Sequence, residues 1–546
     1  MKRISVVLST VLALGIILVA FRADDDLFEV RKNFEIFGAL YEEIAVGYVD
    51  EVRPQPFMRA GIEGMLEQLD PYTHFYDEAD MLDVRLLMQR KLGRVSISLG
   101  IRAGRLTILA PEDNAEAYRQ GLRRGDVVVK IGATPADGMT VQEAHELLIG
   151  DPGSTIEMSV QRSGDMGLRS FVLRRKRIRT QNVSYSGYLG PDSTDGLAYV
   201  RLDGFGTRSG REVMRALRNM NRDVELTGII LDLRNNPGGL LSEALKIVSL
   251  FVSKGSVVVS TRSRADASVT QYKTEEDPLF PETPLLILIN EYSASASEIV
   301  AGALQDYDRA VVMGATSFGK GLVQIVRPLP HNTSLKMTTS HYFLPSGRTI
   351  HSATLNSSSA TVATPIIVQL KTLGGRMVRG GVGVEPDIEH LRAPINELER
   401  ALERESAFFL FADGWVAGHC ISDGECSGSD EEMVEEFRSW LGTSGFSLTT
   451  DSDLMLLEFE EEARQDGFRT LASQIEKLRE AMDSEKEDQF EEIEAQIVRG
   501  INVEVRARLL DERSQAEANI SQDELIALAR ALLDRKNDIE QILEAN

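Results

Sequence analysis

The chain has 546 residues, 42% hydrophobic and 26% charged, and a formal net charge of −24. One hydrophobic core seldom grows past roughly 250 to 300 residues, so several domains are expected. The acidic balance excludes nucleic acid as a partner, because gripping a phosphate backbone takes a concentrated basic surface.

Met1-Lys2-Arg3 precedes an uncharged run from Ile4 to Phe21, closed by Arg22 and the acidic triplet Asp24-Asp25-Asp26. Positive charge ahead of about 18 apolar residues reads as an export signal, long enough to span a bilayer if it stays uncleaved. The nearest approaches to an Ala-x-Ala cleavage site, Leu18-Val19-Ala20 and Phe21-Arg22-Ala23, each carry a large outer residue. That favours a retained anchor over residues 4–21 and an exported, periplasmic protein tethered to the inner membrane. In residues 27–88, Phe28, Phe34, Phe37, Leu40, Tyr41, Ile44 and Tyr48 share one helical face, and a second helix over Met58 to Leu69 follows the Pro54/Pro56 break. Such a segment suits packing or self-association, so a homo-oligomer is one expectation.

From about Leu92 to Arg177 short strands predominate: Val95 to Leu99, Leu106 to Leu109 and Ile156 to Val160. Helices are predicted near Ala115 to Arg119 and over Thr140 to Leu148, the second ended by Gly150-Asp151-Pro152-Gly153. This order, with the phrase Gly121-Leu122-Arg123-Arg124-Gly125-Asp126, resembles a PDZ domain, which binds peptides by adding a strand to a sheet edge. From Gly196 apolar runs (Leu197 to Leu202, Gly228 to Leu233, Val257 to Ser260, Leu285 to Ile289, Ala310 to Met313) alternate with helical patterns over Ser209 to Met220, Leu240 to Phe251 and Glu298 to Gln305. The alternation predicts an α/β layer arrangement around a buried sheet.

After about Ile395 the chain is helical and charged, without sustained heptads. Residues 401–546 carry about −22 of the charge and residues 90–180 about +6, so the acidic excess forms either a solvated helical face or a docking surface for a basic partner. Cys420 and Cys426 are the only cysteines. In an exported protein they make a small-loop disulfide or stay as two thiols, and two thiols alone do not make a metal site.

A serine and a lysine stand out without a histidine. Ser293-Ala294-Ser295-Ala296-Ser297 follows an apolar strand and opens a helix, and Lys320 comes about 25 residues later in Ser317-Phe318-Gly319-Lys320-Gly321. A serine hydroxyl needs a neighbouring base, and an amine serves only if its surroundings favour the neutral form. Three serines compete as nucleophile. Ser295 is central, Ser297 suits a helix cap and Ser293 a strand exit. Leu233-Arg234-Asn235-Asn236-Pro237-Gly238-Gly239-Leu240 lies at another strand end, where glycines let backbone N–H groups approach a substrate. Lys320 and Gln324 meet if the intervening turn is helical, whereas Leu322, Gln324 and Val326 share one face if it is a strand. The seven histidines are scattered and no His-Glu-x-x-His occurs, which argues against a zinc protease, although a triad through His341 or His351 stays open.

Together with Leu344-Pro345-Ser346-Gly347-Arg348 and Val384-Glu385-Pro386-Asp387-Ile388, these motifs resemble the carboxyl-terminal processing peptidases, over roughly residues 30 to 390. The resemblance implies a ClpP/crotonase-like protease core with an inserted PDZ domain, and a serine endopeptidase that recognises C-terminal tails of exported proteins. On this chain it implies Ser295 as nucleophile, Lys320 as general base, Gln324 as the group orienting the lysine, and an oxyanion hole from Ala296 with Gly238 or Gly239. It calls for neither metal nor cofactor. The expected domains are 1–23 signal or anchor, 24–88 helical segment, 89–178 PDZ, 179–395 protease core and 396–546 acidic helical domain. The glycine-rich peptide-carboxylate loop is reduced to Leu92-Gly93-Arg94-Val95, the expected peptide contact, and a later Asp-Gly or Asn-Gly pair is replaced by Gly132-Ala133. An insert over about Ser352 to Met377 looks like a substrate-side loop. The rival functions are a catalytically silent PDZ scaffold and a crotonase-like acyl transferase.

Overall fold

The structure is a computed structural model that describes residues 28–77, 93–111, 116–177, 181–190, 195–263, 269–352, 367–391, 396–420, 426–443 and 449–544. The expected anchor over 4–21 and Leu92 lie outside the described residues. Within them no helix is long and apolar enough to cross a membrane.

The chain forms two compact units, the smaller holding the described residues through Asp77 together with Gln324–Thr338. There a helix over 28–47 meets the helix Pro54–Leu66, which begins on a proline that has no N–H to leave unsatisfied. The Tyr41 ring stacks on Phe57 at 5.5 Å and its hydroxyl donates to the Pro54 carbonyl at 2.8 Å. Phe28, Phe34, Leu40 and Tyr48, from the predicted apolar face, are exposed. His74–Tyr76 pairs antiparallel with Ser334–Lys336.

In the larger unit the PDZ strands come in the order Ile97–Arg102, Arg105–Pro111, Val127–Ile131, Thr155–Gln161, Leu168–Arg174. The helix Val141–Leu148 starts on Thr140, whose side chain accepts from the Glu143 N–H while Glu143 reaches back to the Thr140 N–H. The α/β sheet has the order Val183–Tyr188, Leu197–Leu202, Gly228–Asp232, Leu285–Ile289, Val311–Gly314, Ile388–Glu389, antiparallel at the first pair and parallel thereafter. Its central strands are buried at every residue, which is why they read as unbroken apolar runs. Side chains alternate between two cores. Ile229, Leu231 and Ile287 face the helices Ser209–Asp223, Leu241–Val248 and Ala296–Asp306. Ile230, Leu286 and Leu288 pack on Leu525, Ile526, Ala529 and Leu533 from near the chain's end. The acidic tail therefore supplies one layer of the α/β sandwich.

Two expectations are corrected. Val257–Ser263 does not join the parallel sheet; it pairs antiparallel with Val269–Lys273 and with Ser340–Phe343. The end of the presumed substrate-side loop is a structural buckle: buried Arg376 bonds Asp308 and Asp387, both at 2.6 Å, and the Gln305 carbonyl. Residues 353–366 of that insert lie outside the described residues. Cys420 and Cys426 are disulfide-bonded.

The basic PDZ domain meets the acidic helices directly. Arg124 makes a bidentate pair with Glu504, 2.9 and 2.8 Å, and lies over the Phe409 ring at 5.0 Å, where Arg508 also stacks at 4.6 Å. Arg508 in turn bonds Asp413 at 2.6 Å and Glu504 at 2.9 Å. Gly125 packs so closely that a Cβ there would stand 2.2 Å from the Asp413 carboxylate.

Candidate active site

Two adjacent strands of the parallel sheet end side by side and turn into loops. After Asp232 comes the turn 233–240, and after Ile289 the turn 290–295 that opens the helix Ala296–Asp306. The loops are laced together. Asn235 donates its N–H to Asn290 Oδ1 at 2.8 Å, and Asn290 Nδ2 donates to Asn235 Oδ1 at 2.9 Å. Asn236 is fully buried; its carbonyl accepts from the Ala294 N–H and the Ser297 hydroxyl, and its side chain donates to the Leu202 carbonyl at 2.7 Å.

This lacing separates the three serines. Ser293 Oγ donates to the Leu233 carbonyl at 2.8 Å and Ser297 Oγ to the Asn236 carbonyl at 2.9 Å, and both residues are fully buried. Ser295 is half-buried; its Oγ faces the Glu298 N–H as in a capping box, and no carbonyl among the described residues takes its hydroxyl proton. Its backbone has φ 57° and ψ −110°, a conformation side-chain-bearing residues rarely adopt.

Gly238 and Gly239 are pressed against that turn. A Cβ on Gly238, at φ 97°, would stand 2.9 Å from both Ser295 Cβ and Ala296 N, and one on Gly239 would hit the Phe205 carbonyl at 2.5 Å. The two differ as donors. The Gly238 N–H is engaged by Asn236 Oδ1 at 2.9 Å, whereas those of Gly239 and Ala296 meet no acceptor among the described residues. The Ala296 N–H also lies at the positive end of an eleven-residue helix.

Lys320 is brought to the same place by Glu298. One oxygen of this carboxylate, Oε2, accepts from the Ser295 N–H at 2.7 Å and the Lys320 N–H at 2.9 Å; the other accepts from Ser317 Oγ at 2.6 Å and the Gly319 N–H at 2.7 Å. Burial pushes the Glu298 carboxyl up to about 7 against the pull of those donors. Lys320 is half-buried, and Phe318, two residues before it, is 39% exposed. Gln324 sits on the strand Leu322–Pro328 with its Nε2 buried and unbonded, so the extended reading of that segment replaces the helical one. Glu298 and Asn236 were missed as site residues. The spacing Ser295-x-x-Glu298 carried the signal for the first, since it is that of a capping box.

Models of three families match the chain: peptidase family S41 over residues 196–357, a PDZ domain over 107–162, and the C-terminal helical domain of probable PDZ-proteases over 398–533. A carboxy-terminal-processing protease of Bartonella bacilliformis is 33% identical over 360 residues, which cover 64% of this chain and 81% of that protein. The chain belongs to peptidase family S41. A probable CtpA-like serine protease of Staphylococcus aureus is 26% identical over 69% of this chain and 75% of its own length. Among solved structures, the photosystem II D1 C-terminal processing protease shares 24% identity over 65% of this chain and 86% of its own, with a TM-score of 0.38.

Of the expected PDZ contact Leu92–Val95 in this S41 peptidase, the described residues are Gly93, Arg94 and Val95. Gly93 and Arg94 are paired on both edges, to Lys176–Arg177 and to Ile149–Gly150, and so cannot accept an added strand. Val95 is buried in the PDZ core. The retained Gly93 has a packing role, since a Cβ there would lie 3.0 Å from Pro152 Cα. Among the described residues, Ile97–Arg102 pairs on one side only, with Arg105–Pro111, so the open edge begins just beyond the predicted segment.

A further charged group supports the 233–240 turn of the S41 core. Buried Asp232 accepts from Tyr199 Oη at 2.7 Å and from Arg234, which also pairs with Asp523 at 2.8 Å. Burial and the neighbouring Asp232 carboxylate both raise the Tyr199 phenol. Arg234 thus ties the turn beside Ser295 to the C-terminal helices.

Proposed function

We propose that this S41 peptidase is an endopeptidase using a Ser295/Lys320 dyad on a ClpP/crotonase-like core, with the PDZ domain selecting exported proteins by their C-terminal tails. The observation that carries it is the shared Glu298 oxygen: it holds the backbone of Lys320 beside the backbone of Ser295, the one serine of the three whose hydroxyl proton is not given to a backbone carbonyl among the described residues. Neutral Lys320 takes the Ser295 hydroxyl proton as Oγ bonds to the scissile carbonyl carbon. The negative oxygen that results meets the Gly239 and Ala296 N–H groups. The C–N bond breaks as the lysine ammonium returns its proton to the leaving amine, and water then hydrolyses the acyl-enzyme by the same proton relay. Gln324 orients the lysine amine. The PDZ domain takes the tail along the Ile97–Arg102 edge, and residues 4–21 tether the enzyme on the periplasmic side of the inner membrane.

The test is digestion of an unfolded model protein with an apolar C-terminal tail. Ser295→Ala and Lys320→Ala are each expected to lose activity by on the order of 10⁴-fold while retaining the wild-type fold, and a chelator is expected to change nothing. Full cleavage by folded Ser295→Ala would overturn the assignment.

A further inference from the structure

We propose that Glu298 is a positioning residue that sets the distance between nucleophile and base by clamping the serine turn to the lysine loop, a role that rests on the Ser295/Lys320 reading. Glu298 is fully buried, and its four hydrogen-bond donors are three backbone N–H groups and one hydroxyl. One donor belongs to the nucleophile and three to the loop Ser317–Lys320. The Phe318 N–H also joins the loop to the serine turn, donating to the Ser293 carbonyl at 3.1 Å. On its far side the loop is held independently, by the Ser317 N–H to the Val384 carbonyl and the Val384 N–H to Ser317 Oγ.

The simpler reading of Glu298 is a helix cap. A capping-box glutamate satisfies the N–H of its own N-cap residue and normally lies at the surface. Here the capping bond uses one lone pair of Oε2, and everything else the carboxylate accepts comes from another loop. The capped residue is also the strained one, Ser295, so releasing its N–H removes a restraint on the very backbone that aims the hydroxyl.

A glutamine at 298 cannot replace this. It keeps one acceptor oxygen but points an NH₂ group at donors on the other side, so one pair of bonds becomes repulsive. Removing the Ser317 hydroxyl deletes one donor to Glu298, and with it the acceptor of the Val384 N–H, at little change of volume, while the Ser317 N–H keeps its bond to the Val384 carbonyl. The clamp therefore predicts a fall in kcat with KM preserved, since peptide binding at the PDZ edge and along the core is untouched.

The experiment measures kcat and KM on an unstructured peptide for the full chain, Glu298→Gln, Ser317→Ala and Ser295→Ala. It also measures the rate at which a fluorophosphonate phosphonylates Ser295, a step in which the Oγ–P bond forms, the P–F bond breaks to release fluoride, and the hydroxyl proton passes to Lys320. The expected result is a loss in kcat of about 100-fold for Glu298→Gln and about tenfold for Ser317→Ala, parallel losses in labelling rate, and KM within about threefold of wild type. If Glu298→Gln does not fold, Ser317→Ala decides. Should the folded variants keep wild-type kcat and labelling, or lose only KM, while Ser295→Ala is inactive, the clamp is overturned and the dyad stands. Activity in folded Ser295→Ala would remove the reading on which the clamp rests.

Discussion

Two glutamates of this peptidase, Glu298 fully buried and Glu504 partly so, are stabilised in opposite ways. Glu504, in the seam between PDZ domain and C-terminal helices, has Arg124 and Arg508 on it, and although burial opposes, those guanidinium groups hold its carboxyl below the usual range. Glu298 has only dipoles around it, and burial dominates, leaving its carboxyl near 7. An ion-paired seam is strong only while both charges persist. A dipole-lined site keeps its geometry through hydrogen bonds whose strength depends on the carboxylate remaining ionised. The candidate site is thus held by short-range backbone contacts, and the PDZ domain is attached through charge.

The sharpest way to break the site while leaving the seam intact is Gly238→Ala. The added Cβ meets the Ala294 carbonyl at 2.6 Å and Ser295 Cβ at 2.9 Å, at a φ of 97°. It should lower kcat by about 10²- to 10³-fold, comparable to losing an oxyanion donor, without altering the Arg124–Glu504 contact as seen by amide exchange. Activity within threefold of wild type would mean that the 233–240 turn can yield.

A smaller effect comes from pH, with opposite signs at the two glutamates. Glu298 has a folded pKa raised from 4.5 to about 7. Its contribution to stability is complete below about 4.5 and is lost as pH rises through 7, a difference of about 3 kcal/mol. Glu504 has a lowered folded pKa, so its contribution is present above 4.5 and is lost as pH falls. Denaturation between pH 4 and 8 should show wild type declining against Glu298→Gln as pH rises, and against Glu504→Gln as pH falls. Parallel profiles for both pairs would remove the contrast.

Smallest is the seam taken alone. Arg124→Glu sets two carboxylates against each other at a site whose side chains are 22% and 16% exposed, and should cost about 2 kcal/mol, less than for a fully enclosed pair. Amide exchange in Arg105–Pro111 and Val127–Ile131 should accelerate, whereas Arg124→Lys, which keeps the charge and loses the stacked guanidinium, should retain much of the protection. Loss of protection in Arg124→Lys equal to that in Arg124→Glu would show that Phe409 stacking, rather than charge, holds the seam.

The PDZ and α/β elements were legible because each rests on a local pattern. Thr140 with Glu143 marks a helix start, alternation marks Thr155–Gln161, and unbroken apolar runs mark strands buried on both faces. Ser295, Lys320 and the paired glycines became candidates through the motifs that carry the family resemblance, because a serine or a glycine at a strand-to-helix junction also serves as a cap or a turn. What could not be read depends on partners distant in the chain. Ser293 and Ser297 have the same composition around them as Ser295, and only the carbonyls of Leu233 and Asn236 commit their hydroxyls. Gly93 resembled a binding-loop glycine until Pro152 appeared 3.0 Å from its would-be Cβ.

Order along the chain, the strand and helix types and the residue chemistry of the site follow from the amino-acid sequence, because backbone propensity and side-chain periodicity act over a few residues. Tertiary structure decided which strand edge is open, that the acidic tail covers one face of the core sheet, and that Glu298 joins two loops 19 to 22 residues apart. Those outcomes depend on burial and on which donors meet which acceptors, and burial is a property of the assembled fold, not of any segment of it.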